Sequence, residues 1–197
     1  MTEQPSLEPL IDVFDHYNHP TGRTATVDDV LANGLWHRGC RVILYTADYR
    51  LLAQRRSAQA IQNPSRISLG AGGYVDAGES PEQAALREVY EETGLQLEPA
   101  DIQFISLDRL ASKWQYEGQQ KTSHRFVYSY TAHIPKSAKL TRQPDEADEL
   151  ILLTVAEVEQ LIKQQAPKTL GKLSPEYKYY RQLLQKSLKT IDWAMRR

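Results

Sequence analysis

Residues 73–95 read Gly73-Tyr74-Val75-Asp76-Ala77-Gly78-Glu79-Ser80-Pro81-Glu82-Gln83-Ala84-Ala85-Leu86-Arg87-Glu88-Val89-Tyr90-Glu91-Glu92-Thr93-Gly94-Leu95. Ser80 and Gln83, on either side of Pro81, make a helix start of the capping-box kind, and Gly94 stands at the helix stop. The spacing predicts a helix over residues 80–93. Glu88, Glu91 and Glu92 stand at i, i+3 and i+4, so their carboxylates share one face. Leu86, Val89 and Thr93 fall on roughly the opposite side and are free to pack on a sheet. Arg87 lies four residues before Glu91 and can tether it.

Three carboxylates on one face repel one another, each pair by a few tenths of a kcal/mol in an isolated helix. Arg87 is the only cation in this helix, whereas a helix needing mere solubility interleaves opposite charges. A hard divalent cation removes the repulsion. Mg²⁺ prefers carboxylate oxygens, keeps several waters and bridges to phosphate. Glu79, at the end of the short loop from Gly73, can bring a fourth carboxylate to the same place. Gly72 and Gly73 permit close backbone approach to a ligand. The plain alternative for the glutamates alone is a solvated acidic face.

The complete spacing outweighs that alternative. This stretch resembles the Nudix box, the signature of the Nudix (MutT-type) hydrolase family. The pattern is carried by Gly73, Glu79, Arg87, Glu88, Val89, Glu91, Glu92, Gly94 and Leu95. Chance would produce it in a chain of this length with a probability on the order of 10⁻⁷ from average residue frequencies. The resemblance implies an α/β/α sandwich with a mixed sheet. It also implies Mg²⁺- or Mn²⁺-dependent hydrolysis of a nucleoside diphosphate linked to another group. It implies that Glu88, Glu91 and Glu92 bind metal, with Glu79 nearby, the Gly73 carbonyl an extra ligand and Arg87 orienting the glutamates. The general base is then either Glu88 or a glutamate outside the box, Glu146 or Glu149, in the acidic run before a strand. An acidic surface loop is the alternative for that run.

A second resemblance runs through Gly34-Leu35-Trp36-His37-Arg38 and Leu51-Leu52-Ala53-Gln54-Arg55-Arg56-Ser57. It is to the Nudix subgroup related to isopentenyl-diphosphate isomerase. It implies that Arg55 or Arg56 holds the diphosphate, a guanidinium fork fitting phosphate oxygens. Arg66 stands in for a lysine absent from residues 58–64. The isomerase itself is the second functional reading. It needs a cysteine just before the box, where this chain has Gly72; the one cysteine, Cys40, reads as a core residue on a strand. A non-catalytic nucleotide-sensing Nudix module is the third.

Working outward, strands are expected at residues 10–15, 40–46, 51–55, 67–75, 102–110, 126–133 and 150–154. Helices are expected at 27–33, 155–165 and 175–195, with polar turns at 16–22 and 117–120. Residues 1–8 read as a mobile end and 9–168 as the Nudix domain. In the last helix Leu173, Tyr177, Tyr180, Leu184, Leu188, Ile191 and Met195 form one apolar stripe. Ser174 caps its start and Pro175 takes the first helical position. The stripe either docks on the domain or makes a contact in a homodimer. Trp36, Tyr74 and Trp114 are candidate platforms for a stacked base.

The 197 residues are 41% apolar and 25% charged, with net charge −1. That composition is of the soluble globular kind and excludes low-complexity and bilayer-spanning classes. The last 29 residues hold seven basic residues against Glu176 and Asp192, leaving residues 1–168 at net −6. An acidic body lacks the broad basic face of a nucleic-acid binder. A small-molecule diphosphate is the expected partner, without nucleic acid or membrane. A single cysteine and the absence of a basic-then-apolar start fit a cytoplasmic protein.

Overall fold

The structure, a computed structural model, describes residues 9–60, 62–164, 170–173 and 177–195. The expected mobile end at residues 1–8, the Ser174–Pro175 helix start and residue 165 lie outside the described residues. The elements follow in the order β1 (Leu10–Phe14), β2 (Pro20–Thr26), α1 (Val27–Asn33), β3 (Trp36–Tyr45), β4 (Arg50–Arg56), β5 (Ile67–Leu69), α2 (Pro81–Thr93), β6 (Ile102–Tyr116), β7 (Gln119–His133), β8 (Ala147–Thr154), α3 (Val155–Ile162) and α4 (Tyr177–Met195).

Strand β3 organises the sheet. It runs parallel to β7 from Trp36↔His124 to Tyr45↔His133 and antiparallel to β1 and β4. Strand β4 pairs antiparallel with β5 and β8, and β6 pairs antiparallel with β7. One parallel pair among antiparallel neighbours makes the sheet mixed, as expected.

The alternation of side chains along β3 explains the layers. Cys40, Val42 and Leu44 face α2 and pack with Ala84, Ala85 and Val89. Ile43 and Tyr45 face the other way and pack with Val158 and Leu161 of α3 and Tyr180 and Leu183 of α4. The result is the expected α/β/α sandwich. The small side chains of Ala84 and Ala85 let α2 approach the sheet closely. Both are fully buried. The apolar stripe of α4 docks on the sheet: Tyr180, Leu184 and Ile191 are buried there. Each such Leu or Ile contributes about 1.5–3 kcal/mol by leaving water.

Four strand expectations are too short, those for β3 and β8 by a few residues at their starts and those for β6 and β7 by more, and one strand was missed. The strands expected at 102–110 and 126–133 extend to Tyr116 and back from Gln119. The turn between them is only Glu117-Gly118, both with positive φ, the two-residue kind that matches strand twist. These arms are mostly half-exposed, so they lack the apolar run that marks a strand. Strand β2, read as a turn and helix start, is exposed along most of its length and is defined by pairing with β1. Conversely, the strand expected over 67–75 ends at Leu69. Its glycine-rich remainder lies along β3 as a loop, held by Val42 N–H to Ala71 O at 2.8 Å and Cys40 N–H to Gly73 O at 3.0 Å.

Gly70 turns that loop at φ 69°, and a Cβ there would overlap Val42 O. Gly118 has a similar φ of 76° but open space around it. Gly118→Ala is expected to cost about 1–2 kcal/mol, the left-handed strain alone. Gly70→Ala adds a backbone clash and is expected to cost more than about 3 kcal/mol. Urea denaturation of both variants checks this; equal losses would mean that the loop does not lie against β3.

Candidate active site

Helix α2 is fixed at both ends. Ser80 Oγ accepts from Gln83 N–H at 3.1 Å while Ser80 N–H donates to Gln83 Oε1 at 2.9 Å, and Gly94 closes the helix at φ 69°. The inner face differs from the expected one. Leu86 is only partly buried, and Glu92 is itself buried at 6% exposure beside Val89 and Thr93. The three glutamates therefore do not share one solvent face: Glu88 and Glu92 turn into a cleft, and Glu91 stays outside it.

Arg87 is the hub. It grips Glu79 with two parallel hydrogen bonds, Nε to Oε1 at 3.0 Å and Nη2 to Oε2 at 2.9 Å. Its Nη1 donates to Glu88 at 2.9 Å and to Glu91 at 3.1 Å, and Nη2 donates to Tyr74 O at 3.0 Å. Arg87 does not line the cleft; its donors are directed at Glu79, Glu88, Glu91 and the Tyr74 carbonyl. Glu79 does not line it either: its oxygens are occupied by Arg87 and by Asp76 N–H. Burial alone would raise the Glu79 carboxyl, but these bonds hold it below its ordinary value.

Glu92 is held from the sheet side. Its Oε2 accepts from Gln54 Nε2 at 2.7 Å and from Gly72 N–H at 2.9 Å. Burial still pushes its carboxyl up, against the nearby Arg41 guanidinium and those two donors. Glu88 is pushed up to about 7, first by burial and then by the charge of Glu92, against the pull of Arg87. Gly73 makes this possible, because a Cβ there would land on the Glu88 carboxylate. The Gly73 carbonyl already accepts from Cys40 N–H, which leaves it one lone pair.

The cleft has a volume of about 400 Å³. Glu88, Glu92, Asp145 and Glu146 supply its acidic wall, Arg41, Arg56 and Arg125 its basic wall, and Tyr74 and Trp114 its aromatic groups. Glu146 thus comes to the site, while Glu149 pairs with Arg55 at 3.3 Å away from it. Three expected site residues need correction. Arg55 and Arg56 are strand neighbours and point to opposite faces; Arg56 lines the cleft, whereas Arg55 donates to Glu149 and to Leu170 O. Arg66 meets Arg56 only through its backbone carbonyl and does not line the cleft. Trp36 is absent from it too, its ring stacked on His124 at 4.9 Å beneath Arg109.

Arg41, Arg125 and Gln54 were not anticipated. Their signal was a polar residue inside an apolar run for Arg41 and Gln54. Arg125 had only the alternation of its strand.

The donor set suits a hard divalent cation. Burial raises both carboxyls, and the charge of Glu92 raises Glu88 further; a divalent cation would relieve both. As they stand, no three acidic or imidazole groups among the described residues converge into a ready-made metal cage.

A loop–helix–loop that presents carboxylates to an arginine-lined cleft, on a mixed sheet between helices, defines a hydrolase of phosphoric anhydrides. The chain belongs to the Nudix family, whose domain model matches residues 35–176. It is 30% identical over 143 residues to an uncharacterized Nudix hydrolase of Rhodococcus erythropolis, covering 71% of this chain and 74% of that one. Among solved structures, DR0079 of Deinococcus radiodurans superposes with a TM-score of 0.62 at 19% identity, over 88% of this chain and 98% of its own. A MutT Nudix hydrolase of Burkholderia pseudomallei superposes with a TM-score of 0.54 at 23% identity, over 77% and 97%. These two share the fold. The expected kinship with the isomerase-like subgroup gains no support from these matches. No helix among the described residues is long and apolar enough to cross a membrane.

The Glu88 shift has a stability consequence. An acid with a raised folded pKa binds its proton more tightly when folded. That stabilisation is complete below its ordinary value of 4.5 and is lost as pH rises through about 7. In chelator-containing buffer the melting temperature should therefore fall as pH rises through that window, and Glu88→Gln should flatten the fall. Parallel profiles for the two proteins would remove Glu88 as the titrating group.

Proposed function

We propose that this Nudix hydrolase uses Mg²⁺ or Mn²⁺ to cleave the diphosphate linkage of a nucleoside diphosphate derivative, by attack of water at phosphorus. The observation that carries this is the meeting, in one cleft, of the Glu88–Glu92 pair with Arg41, Arg56 and Arg125. Glu88 and Glu92, with Glu91 at the rim, would hold the ion. A divalent ion bound there neutralises phosphate charge and lowers the pKa of water.

The chain's own groups do the rest. The three guanidiniums grip the non-bridging oxygens and so orient the anhydride. Arg87 keeps Glu88 and Glu91 from splaying apart. A proton taken from the attacking water goes to Glu88 or to Glu146, both at the cleft; general-base help of this kind is worth about 10²–10⁴-fold. Trp114 and Tyr74 offer ring faces to a base, and Gln59 and Gln62 offer amides to its edge.

The isomerase reading lacks its thiol. Cys40 is 3% exposed, burial pushes it up to about 12, and it stands outside the cleft. A Cβ at Gly72 would overlap Cys40 O, so that position does not admit a cysteine without rebuilding the loop. A purely sensing module has no need of a confined acid pair that only a cation relieves, which favours hydrolysis.

The experiment is a panel of nucleoside triphosphates, dinucleotides and nucleotide sugars, assayed with Mg²⁺ and with chelator. Turnover should require the metal, and Glu92→Gln should lower kcat/KM by on the order of 10²-fold or more. Arg56→Ala should raise KM about tenfold, whereas Arg55→Ala should leave it near wild type. Wild-type turnover in the double variant Glu91→Gln, Glu92→Gln would overturn the carboxylate roles.

A further inference from the structure

The last helix carries two adjacent tyrosines, Tyr179 and Tyr180, at 6% and 1% exposure. Both sit in the large apolar cluster between the sheet, α3 and α4. A helix that only had to dock would be served as well by phenylalanine, since a buried hydroxyl costs about 1–3 kcal/mol unless it is bonded. Each hydroxyl does have a partner, and both partners lead toward the cleft. The Tyr180 hydroxyl lies 3.5 Å from Ser68 Oγ on β5, and Ser68 Oγ accepts from Arg41 Nη1 at 3.0 Å. Arg41 also donates to Leu69 O at 3.3 Å. The Tyr179 hydroxyl lies 3.1 Å from Ser129 Oγ, and Ser129 stands opposite Arg41 in the β3–β7 register.

A second, small cavity of about 20 Å³ has walls from Tyr179, Arg41 and Arg125. Arg41, Arg125, Gly72 and Gly73 line it on one side and the cleft on the other. Ser68 and Ser129 are 4% and 0% exposed. One polar chain, Tyr180–Ser68–Arg41, thus runs through an otherwise apolar layer to a cleft arginine, and a second pair, Tyr179–Ser129, lies beside it at the cavity that Arg41 and Arg125 also line. Burial raises the Tyr179 phenol, and the Arg41 charge is the largest influence opposing it. The family model ends at residue 176, just before α4, so this support comes from chain beyond the matched domain.

We propose that Tyr179 and Tyr180 are positioning residues for the anhydride-binding arginines. Tyr180 acts on Arg41 through Ser68, and Tyr179 bounds the cavity behind Arg41 and Arg125. Neither touches substrate. The proposal rests on the reading in which these guanidiniums grip the diphosphate. It makes α4 a part of the site as well as a part of the core. A planar guanidinium grips two oxygens only in one orientation, so the loss of the Tyr180 hydroxyl, two hydrogen bonds back, is felt as misorientation.

The test uses the full chain and two variants. Tyr179→Phe with Tyr180→Phe removes only the hydroxyls. Leu188→Ala, on the same helix and partly buried against the same cluster, loosens packing and leaves the hydroxyls in place. Two quantities are read: the side-chain Nε–Hε resonances of Arg41 and Arg125 in ¹⁵N-labelled protein without ligand, and the calorimetric affinity for inorganic pyrophosphate. The double phenylalanine variant should shift and broaden the Arg41 resonance and weaken pyrophosphate about tenfold. Leu188→Ala should lower the melting temperature and leave both readings near wild type. Unchanged arginine resonances in the double variant overturn the proposal, as does an equal response to Leu188→Ala. A wild-type protein that binds no pyrophosphate, while its Arg41 resonance still responds to hydroxyl removal, upholds the positioning role and overturns the diphosphate reading alone.

Discussion

Glu88 and Glu92 stand one helical turn apart, the first half-buried and the second buried, and like charges confined in a low-dielectric place raise each other's energy steeply. Most of the local structure reads as a response to that confinement. Arg87 bridges Glu88 and Glu91 from outside and is itself anchored by the two-pronged grip on Glu79. Gln54 and the Gly72 N–H hold Glu92 from the sheet. The loop from Gly70 to Gly73 lies against β3 with glycine at three of its four positions, because a Cβ at any of Gly70, Gly72 or Gly73 would meet backbone or the Glu88 carboxylate. Residual strain of this kind is natural where a cation is to be received, since the ion supplies what the protein withholds.

The opposite wall is built by other means. Its arginines come from β3, β4 and β7; Arg41 and Arg125 stand on the paired strands β3 and β7, opposite Ser129 and His37 respectively, and line the same cleft. Glu88 and Glu92, from one local segment, therefore share the cleft with basic residues that are far apart in the chain. In the proposed function the anhydride is bound among these groups, its charge offset by an ion at the carboxylates and by guanidinium forks. Under the role proposed for Tyr179 and Tyr180, the helix that closes one layer of the sandwich also supports the site.

What could be read in advance follows the range of the forces involved. The capping box and the helix stop of α2 are decided within a few residues, and each stands in the structure where the pattern put it. So does α1, expected over 27–33 and found at Val27–Asn33. The outer half of the β6–β7 hairpin has no apolar face of its own and is held by cross-strand hydrogen bonds, to which a hydropathy pattern is blind. The choice between Arg55 and Arg56 turned on which face of β4 meets α2, a fact of packing. Glu146 and Glu149 differed in the same way: three residues apart in an acidic run, one enters the cleft and the other pairs with Arg55.

Residues 73–95 alone determined that this chain carries a carboxylate-bearing loop–helix–loop and belongs with proteins that act on phosphoric anhydrides, because helix caps and side-chain spacing are properties of a short segment. Only the tertiary structure decided that Glu92 is buried and Glu91 is not, that Arg41 and Arg125 rather than Arg55 and Arg66 stand beside Arg56, and that two tyrosines from the last helix reach the back of the site. Those outcomes depend on which strand faces meet across more than a hundred residues of chain, and the energies that settle them come from burial and pairing between segments that carry no record of each other in their own local patterns.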